Sequence, residues 1–323
     1  MFKTALRILK ATVGIETNKE QLLPPFPFGI EVQSLLTDFH RVEQIPYAED
    51  HDGYIRIQES PEAVHYEAQD NQYIFSGPFE NLSLRASDLR YSFWGNQGFL
   101  YRYTLYLLEK CHKIYNLHAC ALICERDHAL YLIIGGAGSG KTVYLLSGLD
   151  KGLRLFSTET VHFRIENNEI EWFKGSLVDN IRLGTLVHDF PRFLPDIKLP
   201  PPEKLWQKKI ALDLSSYATD FDTIKDVRAV SILFPHIEEE RIGCVQNEVT
   251  DIKKSSKLVF DNISQKLVET TILYDQIPVL GLDEIEMARS RLEGSFELVK
   301  HPSIDRVVSI LSNPQECWGN ILS

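Results

Sequence analysis

Eight consecutive residues carry the first recognisable chemistry: Gly135-Gly136-Ala137-Gly138-Ser139-Gly140-Lys141-Thr142. Glycines at this density let a backbone fold tightly enough for successive N–H groups to point at one anion. A lysine and a hydroxyl close the run. Lys141 can reach the β- and γ-phosphates of a nucleotide, and the Thr142 hydroxyl can sit on Mg²⁺. The spacing fits G-x-x-x-x-G-K-[ST]. The setting fits as well, because the apolar run ALYLIIG precedes the loop and KTVYLLSGLDKG follows it. A helix starting at Lys141 would add the partial positive charge of its N-terminus. The plain alternative is a glycine-rich turn that happens to precede a helix. The expectation is a nucleotide site at 135–142, with ATP and Mg²⁺ as cofactors.

Three uses of a bound nucleotide can be weighed. A switch GTPase needs a guanine-reading N-K-x-D, and no such tetrapeptide occurs. A mechanical ATPase wants a strand of apolar residues ending in an acid, but RAVSILFPHIEEE has its acids beyond a Pro-His break. A phosphotransferase needs a carboxylate near the γ-phosphate, as base or through metal. The run LRLFS ends in Thr158-Glu159. If its strand neighbours the loop-bearing strand in an open α/β sheet, their carboxyl ends lie together. Glu159 is the best-placed acid, with an exposed strand-end acid as its bland reading, and Asp179 is its understudy. His118, the second residue of the run LHACALIC, reads either as a site residue or as a histidine capping a buried strand. Arg182, Lys208 and Lys209 could meet phosphate or an acidic substrate, though each also reads as a solvated charge. The predicted catalytic set is Glu159, His118 and Lys141, with Thr142 and Glu159 on the metal.

In combination these residues resemble the HPr kinase/phosphorylase-like superfamily, whose nucleotide core is related to that of phosphoenolpyruvate carboxykinases. The resemblance is carried by Leu117-His118-Ala119, ALYLIIG, GGAGSGKT, YLLSGLDKG, Arg154-Leu155 and Thr158-Glu159, and covers roughly Leu117 to Arg182. It implies an HPr-kinase-like P-loop core and ATP-dependent phosphate transfer to a hydroxyl, on a serine or a small molecule. In the family His118's position lies at the edge of the active site. The likeness is to the diverse kinase-like members rather than to HPr kinase itself. Thr158-Glu159 stands where the family has an Asp pair, and Asn180-Ile181-Arg182-Leu183 stands where it has Glu-Ile-Arg-Gly. Phosphorylase activity and recognition of HPr are therefore not carried over. The alternative use is a regulatory or weakly hydrolytic nucleotide-binding protein without kinase activity.

The rest of the chain must position these groups. Its 323 residues, 44% hydrophobic and 24% charged, are enough for a large core and two domains. A net charge of −11 argues against non-specific binding to nucleic acid or anionic membrane. No apolar run reaches the roughly 20 residues a bilayer span requires. Five cysteines without metal-type spacing read as reduced thiols, so the expected location is cytoplasmic. A homo-oligomer is compatible with all of this. The opening MFKTALRILKATVG reads as an amphipathic helix packed on the domain. After the Pro-rich LLPPFPF, short alternating runs to about Asn96 (YIRIQ, VHYEA, QYIFSG, LSLRASDLRYSF) predict an antiparallel β region. GFLYRYTLYLLEKCHKIY has helical spacing, and Tyr91, Phe93 and Trp94 read as core or a domain joint. Beyond the loop, Gly152 stops a helix, LRLFS is a strand, and VHFRIENNEIEWFKG turns at Asn167-Asn168. RAVSILF is a strand, with helices around 247–269 and 283–293. The architecture expected is α/β (α+β overall), with a β-rich region over 1–97 and a nucleotide-binding domain over 98–323.

Overall fold

The computed structural model describes residues 1–28, 35–36, 38–136, 138–238, 240–319 and 321–322, so Ala137 of the expected loop lies outside the described residues. The protein is mixed α/β, with several sheets and six α-helices among the described residues. No helix among them is long and apolar enough to cross a membrane, and the five cysteines are free. The chain divides into two compact units, Met1–Tyr115 with Ser264–Arg289, and Asn116–Ile263 with Ser290–Ser323. The boundary read from the sequence, between 97 and 98, falls inside the first of these. The helix that follows it, Phe99–His112, is buried continuously from Phe99 to Glu109 and belongs to the first unit's core.

The opening residues are a β-hairpin, not a helix. Phe2–Ile8 and Ala11–Thr17 pair in register from Phe2↔Thr17 to Ile8↔Ala11, and Leu9 turns the chain at φ 55°. Ala5, Leu6, Ile8, Val13 and Ile15 are fully buried. A strand buries these apolar residues on both its faces, and that pattern is easily taken for a helical stripe. The six-stranded sheet built on this hairpin is mixed rather than antiparallel. Gly53–Glu59 runs parallel both to Ala11–Thr17 and to Gln72–Gly77. LSLRASDLRYSF supplies no strand. It holds the end of helix Phe79–Arg85 and the 3-10 turn Leu89–Tyr91. Phe93 packs edge-on against Phe75, Phe79 and Tyr274, and so belongs to this core.

The second unit carries a six-stranded sheet in the order Arg154–Ser157, Ala119–Cys124, Ala129–Ile134, Ala229–Ile237, Ile304–Ser312, Val245–Glu248. Its inner pairs, Ala129–Ile134 with Ala229–Ile237 and the latter with Ile304–Ser312, are parallel. Pro235-His236 does not break its strand, because pairing to Ala129–Ile134 ends at Leu233 and Pro235 has no ladder donor to lose on that side. Helix Lys141–Asp150 stops at Gly152, φ 85°. The hairpin of Val161–Glu166 and Glu169–Lys174 turns at Asn167 and Asn168, both at positive φ, as the Asn-Asn pair predicted. The C-terminal helices are Ile252–Val268 and Ile285–Lys300; part of the stretch expected as helix is instead the strand Val245–Glu248.

Helix Lys141–Asp150 is seated on aromatic and aliphatic side chains. Trp318 meets Tyr131 and Tyr144 at ring separations of 5.4 and 5.6 Å, and its indole N–H donates to the Tyr144 carbonyl at 3.0 Å. Leu122, Leu145, Leu149 and Leu155 complete the layer. Trp318→Ala should lower unfolding stability by about 3–5 kcal/mol, the usual range for emptying a buried aromatic site. Urea melts followed by circular dichroism measure this. A loss under about 1 kcal/mol would mean that the helix does not depend on this layer.

Candidate functional site

The glycine loop leaves the carboxyl end of Ala129–Ile134. Gly138 and Gly140 sit at φ 82° and 98°, in the left-handed region that glycine tolerates. Gly140 is also the N-cap of helix Lys141–Asp150, and no side chain caps it. A β-carbon there would lie 2.2 Å from Ile237 Cγ1, so glycine is required by conformation and by space alike. The first N–H groups of the helix therefore face outward without an internal partner, an arrangement suited to an anion. Lys141 Nζ donates to the carbonyls of Gly135 at 2.7 Å and Gly136 at 3.3 Å. Its ammonium must leave these carbonyls to meet a phosphate.

Sheet topology explains which residues gather here. Ala119–Cys124 is antiparallel to the loop-bearing strand, with Ala119 opposite Ile134. His118 therefore begins its strand at the level where the loop emerges. Arg154–Ser157 is antiparallel in turn to Ala119–Cys124, with Ser157 opposite Ala121. It is not adjacent to the loop-bearing strand; it lies one strand away and parallel to it, so its carboxyl end still arrives at the same edge. His118 Nε2 stands 3.4 Å from Glu159 Oε2. The backbone N–H of His118 donates to Asn262 Oδ1 at 2.9 Å, and Asn262 Nδ2 donates back to the His118 carbonyl at 3.3 Å. Asn262 lies 144 residues further along the chain, and nothing in the local sequence signals this clamp.

Asp179 is a full partner in the site. Thr142 Oγ1 donates to its Oδ2 at 3.1 Å, and its carboxyl lies close enough to Glu159 for each to shift the other's titration. The segment before it is stitched to the Glu159 strand. Thr158 N donates to the Ser176 carbonyl at 2.9 Å, while Thr158 Oγ1 donates to the Ser176 and Val178 carbonyls at 3.1 and 2.8 Å. Thr158 itself is fully buried. The second carboxylate of the site thus comes from a different strand, Val178–Arg182, and not from position 158. Arg182, Lys208 and Lys209 are exposed.

The two carboxyls titrate apart. Burial alone would raise Glu159, but its hydrogen bonds to His118 and Asp179 and the charges of His118 and Lys141 outweigh that and bring it down to about 2. Burial, together with the charge and hydrogen bond of Glu159, pushes Asp179 well above the ordinary carboxyl range. The two shifts run in opposite directions, so a proton is favoured on Asp179 and the negative charge on Glu159. Among the described residues no group of three or more His, Cys, Asp or Glu side chains could hold a metal. A hard divalent cation would have to draw most of its oxygens from phosphate and water, which is the habit of Mg²⁺. The orphaned hydroxyl of Ser139 and the unpartnered Nδ1 of His118, both buried, leave further polar capacity at this edge. The residues present fit a nucleotide with Mg²⁺.

No family model matches the chain, and no curated protein matches it. Among solved structures it is similar to the Hpr(Ser) kinase/phosphatase from Coxiella burnetii, at 17% identity and a TM-score of 0.23, over 41% of this chain and 75% of that one. The likeness is distant.

The split of the pair sets the pH dependence of stability. Glu159 is depressed below its ordinary 4.5, so its contribution is complete above that value and is lost as pH falls toward about 2. Asp179 is raised above its ordinary 3.8, so its contribution is complete below that value and is lost as pH rises through the folded one. Glu159→Gln should flatten the acid side of a melting-temperature profile, and Asp179→Asn the alkaline side. Thermal melts across the pH range read both. Two unchanged profiles would show that the pair does not share a proton.

Proposed function

We propose that this protein is a Mg²⁺-dependent, ATP-binding phosphotransferase that passes a phosphoryl group to a hydroxyl, on a protein serine or on a small molecule. The observation that carries the reading is the junction of Thr142 with Asp179, 3.1 Å apart, beside an ionised Glu159 that His118 approaches to 3.4 Å. A glycine loop opening a helix could serve many anions. A carboxyl held toward its ionised form, one carboxyl away from the residue that ends the loop, is what a hydroxyl acceptor needs.

Each side chain has a separable task. The loop N–H groups and Lys141 neutralise phosphate oxygens and hold the transferred group in line. Mg²⁺, when bound, would neutralise charge spread over the phosphate oxygens. Thr142 and Glu159 would hold it, with Asp179 behind them. Glu159 accepts the proton of the acceptor hydroxyl, and its low affinity for protons keeps it ready to do so at neutral pH. That same low affinity makes it a weak base, which suits a transfer with little bond formation to the incoming oxygen at the transition state. His118 orients Glu159 and supplies a hydrogen bond at its free edge.

Lys141→Ala should abolish most of the thermal stabilisation that Mg²⁺–ATP confers on the wild type. Glu159→Gln should keep nucleotide binding and slow transfer about a hundredfold or more. The assay supplies γ-labelled ATP with cell extract or a metabolite pool and resolves the labelled products. Label found only in inorganic phosphate, with no acceptor accelerating ATP loss, would replace the kinase reading with that of a regulatory or weakly hydrolytic protein.

A further inference from the structure

The ribbon that carries Asp179 continues outward into a cluster of cations. Val178–Arg182 pairs with Lys209–Asp213, and the register sets Arg182 opposite Lys209. The next bonds in both directions extend the cluster: Leu183 N donates to the Lys208 carbonyl at 2.9 Å, and Lys208 N to the Lys204 carbonyl at 3.1 Å. Arg182, Lys204, Lys208 and Lys209 are all exposed. Like charges directly across a ribbon repel, and so do like charges four apart on a helical turn. The chain has 45 acidic residues to relieve this, yet no ion pair engages these four among the described residues. By contrast, Arg164 pairs with Glu166 and Glu171, and Arg192 with Asp150. Uncompensated repulsion held on a tightly bonded ribbon is a cost that an external anion would relieve.

The cluster also has an apolar anchor. Trp206 is 43% exposed and stacks on His188 at 5.8 Å and 15°. Its ring lies over Gly184, where a β-carbon would come within 2.4 Å of the indole. An exposed, immobilised tryptophan amid free cations is typical of a protein-binding patch. Arg182 follows Asp179 by three residues, roughly 10 Å along an extended strand.

We infer that the face formed by Arg182, Lys204, Lys208, Lys209 and Trp206 docks an acidic segment of the polypeptide that carries the acceptor hydroxyl. This rests on the phosphotransferase reading and selects its protein-substrate branch. Four cations on a chain of net charge −11 match a short run of carboxylates better than a long phosphodiester backbone, whose binding scales with the number of phosphates neutralised.

The probe is a fluorescein-labelled peptide of alternating Glu and Ser, titrated by anisotropy at low salt against the full chain. Wild type should bind it, and added salt should weaken the binding. R182E/K209E should weaken it by about tenfold or more, through lost attraction and new repulsion. K204E/K208E, away from the ribbon, should act in the same direction and guards against a folding defect in the first variant. K253E/K254E, on an exposed helix turn of the same unit, carries the same change in net charge and should leave affinity within about twofold, as its sites lie outside the patch. The Mg²⁺–ATP thermal shift should persist in all three. Equal loss in all three, or no loss in the first two, overturns the proposal, and so does tighter binding of single-stranded DNA than of the peptide. A wild type without a nucleotide shift overturns the phosphotransferase reading while leaving the peptide result interpretable on its own.

Discussion

Two carboxyl groups set close together resist being ionised at the same time, and the geometry of this site follows from how that conflict is resolved. Asp179 is fully enclosed and faces a hydroxyl donor, Thr142. Glu159 is partly open, with side-chain exposure of 27%, and faces an imidazole and the field of Lys141. The proton settles where the anion would be least solvated. The result is a carboxyl biased toward its protonated form beside the loop and one biased toward the anion further out. A symmetric pair would favour neither group, whereas this asymmetry biases the two in opposite directions.

That asymmetry depends on sheet order. If the strand carrying Glu159 lay directly beside the loop-bearing strand, the histidine would have no place between them. Instead an antiparallel strand is interposed, and its beginning, not its end, lies at the edge where the glycine loop emerges. His118 enters there with its backbone clamped by Asn262. Two parallel strands with one antiparallel between them bring a loop, a histidine and a glutamate to one rim. The second acid is added by a separate ribbon, tied on through Ser176 and Val178.

Much of this rim was legible in residue order. The glycine loop, its flanking strand and helix, and Gly152 as the stop are local signals, and local signals survive folding. The Asn167-Asn168 turn is another. Less legible were features set by partners distant in sequence. Ala5 and Leu6 are buried on opposite faces of one strand, and a run apolar on both faces has no period to betray it. The parallel pairings of Gly53–Glu59 leave no local mark either. Asp179 was named only as a reserve, because its closeness to Glu159 comes from carbonyls at 176 and 178 meeting a hydroxyl at 158. Asn262 was missed for the same reason, since a clamp across 144 residues has no spacing to recognise.

Position 158 shows how such remote contacts reassign a residue's meaning. In linear view Thr158 is only the residue before Glu159. In the folded chain its hydroxyl points at two backbone carbonyls, which are acceptors and require a donor. An ionised aspartate offers only acceptors. It would stand against both carbonyls, fully buried, as a third carboxyl next to two that already share one proton. Repulsion and desolvation would then act together, and the segment delivering Asp179 would lose the bonds that hold it. With Asp179 supplying the second carboxyl, a donor is what position 158 needs, and a small hydroxyl side chain meets that need within the space available. The Thr158 hydroxyl therefore fixes in place the strand that brings Asp179 beside Glu159.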